Sequence, residues 1–358
     1  MATIVEVARI AGVSPATVSH AFSAKRPVHH RTRARVMAAA VTVGYRPNHI
    51  AASMVTGRTR TIGVVVPDIA NPFFSELVRG AEAAAMAAGY MTIVCSSELD
   101  AAMEDRCVEV LVDKRVDALL YLPGTTRTHR CLADPALKRT PLIVIDEELT
   151  DLPSEAAVIT SDNEAGGVLI AHHLAELGHR QIGVIAGPAG LPTAEARLRG
   201  LVDGLAERGI NIPAPQVVRA ASYTRETGWE AGRALLAHYP EVTAVCCAND
   251  LIALGVMAAA GEYGRQVGRD LSVVGFDDIF IAGLVTPALT TVRQPIARLG
   301  AEAARLAVDA IGGSPAASSG QPKRVVLPVE LVVRDSTARI APPRDGRIQP
   351  VGARATTA

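Results

Sequence analysis

Apolar residues follow helical spacing in the first sixty positions and gather into short continuous runs after them. Near the start of the chain, this spacing predicts two short helices over residues 4–23, with Val7, Ala8 and Ala11 on the inward face of the first. Gly12 follows that helix, at a point where a tight turn often needs a residue with positive φ. The pattern therefore predicts two helices joined by a short turn.

The second helix is predicted to begin at Ser14 and Pro15, since serine is a favourable N-cap and proline a favourable first helical residue. Val18 and Phe22, four residues apart, would pack against the first helix, and Val13 would point inward. The positions left facing outward are Ala16, Thr17, Ser19 and His20. A DNA-reading helix and a helix hairpin unrelated to DNA both fit this pattern.

Charge distinguishes these two alternatives. The whole chain is neutral, with 36 basic and 36 acidic residues. Residues 1–60, however, contain nine basic residues and one acidic residue, a net charge of +8 that leaves −8 on the rest of the chain. A basic lobe on an acidic body is typical of a nucleic-acid binder. The charge favours a DNA-binding helix-turn-helix over a solvated arginine-rich arm.

Two further elements are predicted before residue 60. A helix over 32–43 should end at Gly44, which suits a C-terminal cap. Pro47, Asn48 and Gly57 bound a second segment that allows only about two helical turns, and a helix of that length is marginal alone in water. We expect this segment to be unstructured in the free monomer and to fold only against DNA and a second subunit.

From Thr61 onward, continuous apolar runs alternate with helical stretches. Such runs are typical of strands buried on both faces of a parallel sheet, and the alternation places helices on both faces. The strands are too many for one sheet of ordinary size, so we expect two doubly wound lobes with a ligand cleft at the carboxyl ends of the strands. The predicted strands are 62–66, 92–95, 118–121, 142–145, 158–159, 182–185, 244–246 and 272–275, and the predicted helices are 73–88, 101–114, 164–177, 194–208, 225–238 and 250–261.

Polar and aromatic residues stand where these strands end or in the segments that follow them. Carboxylates, amides and an arginine can each bind adjacent hydroxyl groups, while aromatic rings cover the apolar face of a sugar. Taken singly, each residue is at least as well explained as a helix cap or a loop turn; taken together they favour a binding cleft. The candidates are Asp68, Asn71, Phe73, Phe74, Asp146, Arg197, Tyr223, Asn249, Asp277 and Gln294.

Several other classes of protein lack support in the sequence. The five cysteines form no CxxC pair and no zinc spacing, which suits a reducing compartment, and the chain shows no signal peptide and no apolar run near the ~18 residues of a membrane span. Nucleotide-binding P-loop, GxSxG and HExxH motifs are absent. We therefore expect a soluble cytoplasmic protein with no catalytic residues, no cofactor, no metal and no membrane partner.

Seven short motifs, in order along the chain, resemble those of the LacI/GalR transcriptional regulators. The similarity extends from about residue 3 to about residue 335, nearly the whole chain. The motifs are VSPATVS at 13–19, GYRPN at 44–48, PDIANPFF at 67–74, GHR at 178–180, AND at 248–250, VGFDD at 274–278 and TPALTTV at 286–292.

The resemblance implies a homodimer whose paired helix-turn-helix domains occupy two half-sites of a pseudo-palindromic double-stranded operator. Pro15, Ala16 and His20 would read bases, and hinge helices would enter the minor groove at the operator centre. Met54 stands where relatives usually insert a leucine, and Ala52 stands where an arginine is usual. The full set of implied DNA contacts is Thr3, Ser14, Pro15, Ala16, Thr17, Ser19, His20, Asn48 and Met54.

The resemblance also implies the domain organisation. A small all-α helix-turn-helix domain (1–47) and a hinge (48–60) would precede an α/β core (61–340) similar to the type I periplasmic binding proteins, with two doubly wound parallel-sheet lobes. The N-lobe would comprise 61–160 and 294–320, and the C-lobe 161–290 and 323–335. Residues 341–358 have no leucine heptad, so we expect a disordered tail and no tetramer built there.

The resemblance also implies that the cleft candidates other than Asp68 fall on positions that contact the effector in the family. Purine-binding relatives carry an arginine shortly before Thr193, whereas this chain has Gly190, Leu191 and Pro192, which argues against a nucleobase. Glu147 stands where pentose binders often have a basic residue, which argues against ribose itself. We therefore expect a repressor controlled by a sugar or sugar acid. A sugar-binding protein without DNA regulation and a purine-responsive regulator remain alternatives, and the direction of control stays open.

Overall fold

The computed structural model describes residues 2–23, 26–45, 57–124, 132, 137, 139–149, 152–153, 155–313 and 322–340. The chain divides into two compact units, Met1–Arg60 and Thr61–Ala358. The predicted hinge contacts Asn48 and Met54, and the predicted tail 341–358, lie outside the described residues. Within the described part of the chain, no helix is both long and apolar enough to cross a membrane.

The described residues of the first unit form three helices, α1 (Ile4–Ala11), α2 (Pro15–Ser23) and α3 (His30–Val43). Gly12 and Gly44 end α1 and α3 in the left-handed conformation, with φ of 62° and 63°. The inward residues predicted from the sequence, Val7, Ala8, Ala11 and Val18, lie in the small core together with Ala21, Val36, Ala39 and Ala40, and Val13 and Phe22 pack against it. The sequence pattern is confirmed for these three helices, except that α3 begins two residues earlier than predicted, and the short helix predicted between Pro47 and Gly57 lies outside the described residues.

In the second unit, the part of the chain that the structure describes contains twelve strands in two six-stranded sheets. The strands of the first sheet are β1 (Thr61–Val66), β2 (Met91–Ser96), β3 (Ala118–Tyr121), β4 (Leu142–Ile145), β5 (Ala157–Ser161) and β11 (Lys323–Leu327). Those of the second are β6 (Ile182–Ala186), β7 (Val217–Arg219), β8 (Ala244–Cys247), β9 (Ser272–Asp277), β10 (Thr290–Arg293) and β12 (Glu330–Val332). Their orders are β11-β5-β4-β3-β1-β2 and β12-β10-β9-β8-β6-β7. All the pairings are parallel except that of β10 with β12.

Among the described residues, seven α-helices cover these sheets, and six of them pack as three close pairs. They are α4 (Pro72–Ala87), α5 (Ala101–Asp113), α6 (Asn163–Glu176), α7 (Pro192–Ala206), α8 (Arg225–His238), α9 (Asp250–Glu262) and α10 (Ile296–Ile311). Where α4 meets α10, α6 meets α7 and α8 meets α9, glycines face the backbone of the partner helix so closely that a Cβ atom would overlap it. Glycine is required at these crossings because two helix backbones touch.

This close packing makes one substitution in α10 costly. In Gly300→Ala the new Cβ would overlap the carbonyl oxygen of Leu77 on α4, so we expect a loss of roughly 1–3 kcal/mol in the free energy of unfolding. Gly261→Ala in α9 is the matched control, because a Cβ there meets no atom within 4 Å and alanine favours helix. Chemical denaturation of both variants measures the difference. Equal stability of the two would contradict the packing described.

One boundary predicted from the sequence is wrong, and three elements were missed. Strand β11 was assigned with 323–335 to the C-lobe, but it pairs in parallel with β5 in the N-lobe sheet. Only two residues separate β11 from β12, so this extended segment of the chain crosses from one lobe to the other. The sequence pattern of an edge strand does not indicate which of the two sheets the strand joins. Strands β7 and β10 and helix α10 were not predicted. The packing of α10 against α4 places 296–311 with the N-lobe, as expected.

Candidate functional site

Three of the predicted DNA contacts in the first unit, Thr3, Ser14 and Thr17, lie at the starts of α1 and α2. The Thr3 hydroxyl caps α1 by accepting a hydrogen bond from the Glu6 N–H at 3.3 Å. The Ser14 hydroxyl accepts one from the Thr17 N–H at 3.2 Å and also bonds the Thr17 hydroxyl. These three side chains therefore have a structural role in the helices, whatever contact they make with DNA.

The remaining candidates of α2 form its outer face. Pro15, Ala16 and Ser19 are exposed, and His20 is half-buried with a ring Nδ1 that has no hydrogen-bond partner among the described residues. Their outward position agrees with the sequence pattern. Contact with bases stays a prediction for each of them.

In the second unit, a cavity of about 270 Å³ lies between the lobes at the carboxyl ends of several strands. Nine of the ten predicted cleft residues line it: Asp68, Asn71, Phe73, Phe74, Asp146, Arg197, Tyr223, Asn249 and Asp277. Gln294 does not line it, but its Nε2 donates to Asp277 Oδ1 at 2.7 Å. Gln294 therefore supports a wall residue of the cavity rather than facing the space itself.

Several of these side chains also hold the local backbone. Asn71 Oδ1 caps α4 by accepting the Phe73 N–H at 3.0 Å, and Asn249 Oδ1 caps α9 by accepting the Ile252 N–H at 2.9 Å. These asparagines therefore both cap a helix and line the cavity, because a helix that starts at the end of a strand has its N-cap at the cleft. Phe73 and Phe74 meet edge to face with ring centroids 5.2 Å apart and form an apolar wall.

Arg197 is the central charge of the cavity. It projects from α7, where Gly167 of α6 approaches the Arg197 backbone, and its Nε donates to Asn163 Oδ1 at 2.7 Å. One Nη atom donates to the Ala248 carbonyl at 2.7 Å and lies 3.6 Å from Asp277 Oδ1, and the guanidinium stacks 4.0 Å from the centroid of the Phe276 ring. The arginine is 8% exposed, so its charge is held in place by these contacts rather than by solvent.

Two aspartates face this arginine from strained backbone positions. Asp146 follows β4 with φ of 71°, and Asp277 ends β9 with φ of 115°, both in the left-handed region that L side chains rarely adopt. Burial raises the pKa of both carboxyl groups, that of Asp277 to about 7, and the Arg197 charge partly offsets the rise. Asp146 Oδ1 is buried with no hydrogen-bond partner among the described residues. A buried orphan acceptor at a cavity wall suits a ligand hydroxyl.

Tyr223 adds a second orphan polar atom. Its buried hydroxyl lies near Thr193 but makes no hydrogen bond of good geometry, and burial raises its pKa. With Asp146 it gives the cavity one acceptor and one donor that the described residues leave unused.

Glu147 and Thr193 line the cavity but were not among the ten candidates. Glu147 follows β4 of the N-lobe, and Thr193 stands in the first turn of α7 in the C-lobe. Glu147 Oε2 accepts the Thr193 N–H at 3.1 Å, and Oε1 accepts the Thr193 hydroxyl proton. Burial and the neighbouring Asp146 raise the pKa of Glu147 to about 7. The position of Glu147 directly after a buried strand is the sequence signal that could have placed it in the cleft. Nothing in the sequence indicates its contact with Thr193, which lies 46 residues further along the chain.

This raised pKa has a consequence for stability. An acid whose folded pKa lies above its unfolded value stabilises the fold at low pH, and that contribution is lost as pH rises towards the folded pKa. Glu147→Gln keeps the shape and an acceptor for the Thr193 N–H, so its advantage over the wild type should grow by about 2 kcal/mol between pH 5 and pH 8. Denaturation across this range measures it, with Glu148→Gln as control for the loss of one charge. A pH-independent difference would contradict the assignment.

Other site chemistry finds no support in the described part of the chain. No cluster of three or more His, Cys, Asp or Glu side chains there is arranged to hold a metal ion. Burial raises the pKa of Cys246 and Cys247, so these thiols stay protonated near neutral pH.

Comparisons with known proteins match both units. Residues 3–48 match the model described as bacterial regulatory proteins of the lacI family, and residues 171–337 match the periplasmic binding protein-like domain. The transcriptional regulator DegA of Bacillus subtilis is 34% identical over 94% of this chain and 98% of its own. The ribose operon repressor of Escherichia coli is 36% identical over 87% of this chain and 92% of its own. The lac repressor dimer bound to operator and an anti-inducer is 28% identical, covers 94% of this chain and 99% of its own, and has a TM-score of 0.81.

Proposed function

The chain belongs to the LacI family of bacterial regulatory proteins, and on that premise we propose that it represses transcription under the control of a sugar bound in the interlobe cleft. It is a DNA-binding transcriptional regulator with a helix-turn-helix domain and a periplasmic-binding-protein-like core. The relatives named above are regulators, and we propose no catalytic role, no cofactor and a cytoplasmic location where operator DNA lies.

One observation supports the effector site above the others. One cavity gathers nine side chains that were predicted separately at strand ends or in the segments that follow them, and it includes orphan polar atoms on Asp146 and Tyr223 beside the buried guanidinium of Arg197. The cavity therefore offers hydrogen-bond donors and acceptors next to the apolar side chains of Phe73, Phe74 and Leu122. This combination suits a small molecule with several hydroxyl groups and an apolar ring face.

We propose that the protein acts as a homodimer, as the lac repressor does on its operator. Exposed apolar residues on both lobes support self-association. On the N-lobe, the edge strand β2 exposes 61% of Met91 and 40% of Ile93; on the C-lobe, 67% of Phe280 and 74% of Leu284 are exposed. Among the described strands β2 lies at the end of its sheet, and an apolar edge strand invites pairing with a second chain. Two subunits would present two α2 helices to the half-sites of a pseudo-palindrome.

Control by the effector follows from its preference between two arrangements of the lobes. A ligand shifts the equilibrium only by the ratio of its affinities for the two states, and a shift from mostly bound to mostly released operator needs about 5 kcal/mol. Because a ligand in the cleft would touch both lobes, the two states that it distinguishes would be an open and a closed arrangement of the lobes. Induction and co-repression use the same parts.

The alternatives predict different results. A sugar-binding protein without DNA regulation would bind the sugar but show no specific operator binding, which the basic first unit of net charge +8 opposes. A purine-responsive regulator would respond to nucleobases, which the apolar and uncharged residues 190–192 oppose.

The test is a gel-shift titration with the purified full-length protein and a labelled fragment from upstream of its own gene. Excess random DNA and several salt concentrations define specific binding. Pentoses, hexoses, sugar acids, polyols and purines are then added in turn. We expect salt-sensitive specific binding that one class of sugar releases or tightens. A response to a purine alone, or none to any sugar, would contradict the proposal.

A further inference from the structure

Helix α7 begins at the wall of the cleft without a cap of its own. Its N-cap residue Leu191 makes no side-chain hydrogen bond, and Pro192 has no N–H, so the Thr193 N–H is the first donor of the helix. Backbone donors and the helix dipole favour negative charge at such an N-terminus, which is why helix starts in ligand clefts often bind carboxylate or phosphate groups.

In this chain, the N-terminus of α7 already holds an anion. The Glu147 carboxylate reaches it from the opposite lobe and accepts both the Thr193 N–H, at 3.1 Å, and the Thr193 hydroxyl. Glu147 is 5% exposed, and Thr193 is 4% exposed, so solvent does not screen the contact. The carboxylate occupies the place that the acid group of a ligand would take.

The charges around this contact add to its effect. Asp68, Asp146, Glu147 and Asp277 line the cavity, and Arg197 is the one cation among the lining residues that the structure describes. The guanidinium is committed to Asn163, Ala248 and Asp277 by the contacts described above. Neutral hydroxyl groups, by contrast, can donate to the unused Oδ1 of Asp146. The crowding of carboxylates is also the reason that Asp146 helps to raise the pKa of Glu147.

We infer that Glu147 is an internal anion that fills the anion subsite of the cleft and thereby selects an uncharged sugar over the corresponding sugar acid or sugar phosphate. The inference rests on the proposed sugar site and narrows it, since it removes the sugar acid from the ligand class expected from the sequence. Glu147 acts by occupying one subsite and by repelling a second negative charge.

Calorimetry on the full-length protein at pH 8, above the pKa of about 7 to which burial raises Glu147, tests the selectivity of the ionised carboxylate directly. The probes are matched sets with one skeleton and different charge: glucose, glucuronate and glucose 6-phosphate; galactose and galacturonate; ribose and ribose 5-phosphate. For the wild type, the neutral member of a set should bind at least about tenfold more tightly than its anionic members. In Glu147→Ala, the ratio of acid to neutral affinity should rise by at least about tenfold, because the N-terminus of α7 becomes free.

Two more variants separate charge from other effects. Glu147→Gln keeps the hydrogen bond to Thr193 and loses only the charge, so its ratio should rise by a smaller factor, about threefold; this variant also keeps the test valid if the alanine variant folds poorly. Glu148→Ala is the matched control, since that carboxylate pairs with Arg324 and does not line the cavity. It should leave the ratio unchanged.

A second readout needs no sugar. Thermal stability is measured in inorganic phosphate and in sodium chloride of equal ionic strength. Phosphate should specifically stabilise Glu147→Ala but neither the wild type nor Glu148→Ala. If no sugar binds any variant while this gain appears, the subsite assignment holds and the proposed sugar function fails. The inference is overturned if the wild type binds the sugar acid as tightly as the neutral sugar. It is also overturned if Glu147→Ala shows neither a higher ratio of acid to neutral affinity nor a stabilisation by phosphate.

Discussion

Arg197→Met is expected to abolish the response of operator binding to the effector and to destabilise the core unit by about 3–5 kcal/mol. The guanidinium holds Asn163 and the Ala248 carbonyl and lies 3.6 Å from Asp277. Removing one partner of a buried charge cluster leaves the others unpaired, which costs more than the pair contributes. Effector affinity should fall by at least about 100-fold. Chemical denaturation and a gel-shift titration with the active sugar measure the two effects.

Arg199→Met is the matched control for this prediction. Arg199 lies two residues further along α7, with its side chain 54% exposed and bonded to Glu164 at 2.7 Å. Exposed ion pairs contribute about 0–1 kcal/mol, so this variant should keep both stability and effector response. A normal effector response in Arg197→Met would show that the cavity is not the effector site.

Ala16→Glu is expected to weaken operator binding by at least about 100-fold without affecting the stability of the fold. Ala16 is exposed on the outer face of α2, so glutamate fits there without disturbing the core. A carboxylate on the helix face that approaches DNA would repel phosphates and leave its own charge unpaired in the groove. A gel-shift titration and a thermal melt separate binding from folding.

Val41→Glu controls for the added charge itself. Val41 is 82% exposed on α3, so the substitution changes the net charge of the first unit equally but leaves α2 untouched. We expect only a few-fold loss of affinity from the weaker overall attraction, about tenfold at most. If Ala16→Glu bound the operator like Val41→Glu, the assignment of α2 as the reading helix would be wrong.

Local signals predicted most of the fold. Ser14 before Pro15 marks a helix start by a cap and a proline, and the structure begins α2 there. Apolar runs marked the buried strands closely, because a strand covered on both faces has few polar residues. The sequence failed where pairing depends on distant residues. Strand β11 joins β5 across more than 160 positions, and nothing in its own residues indicates which sheet edge it meets.

The candidate site was predictable to a similar extent and for a similar reason. Residues at strand ends fall in one cavity because parallel strands end at one edge of a sheet. Gln294 and Glu147 show the limit. Gln294 supports Asp277 from behind the cavity wall, and Glu147 meets a helix of the other lobe. The first position depends on the pairing of β10 with β9 and the second on how the two lobes pack, and the spacing of residues along the chain records neither.

Thermodynamic coupling between the cleft and the operator tests the central claim most directly. Effector affinity is measured by calorimetry with and without saturating operator duplex, and operator affinity with and without saturating effector. Linkage requires both ratios to be equal, and we predict a factor of at least about tenfold that Arg197→Met abolishes. A factor above or below one distinguishes co-repression from induction. Equal effector affinity with and without operator would contradict the account, because a ligand that binds both states equally shifts neither.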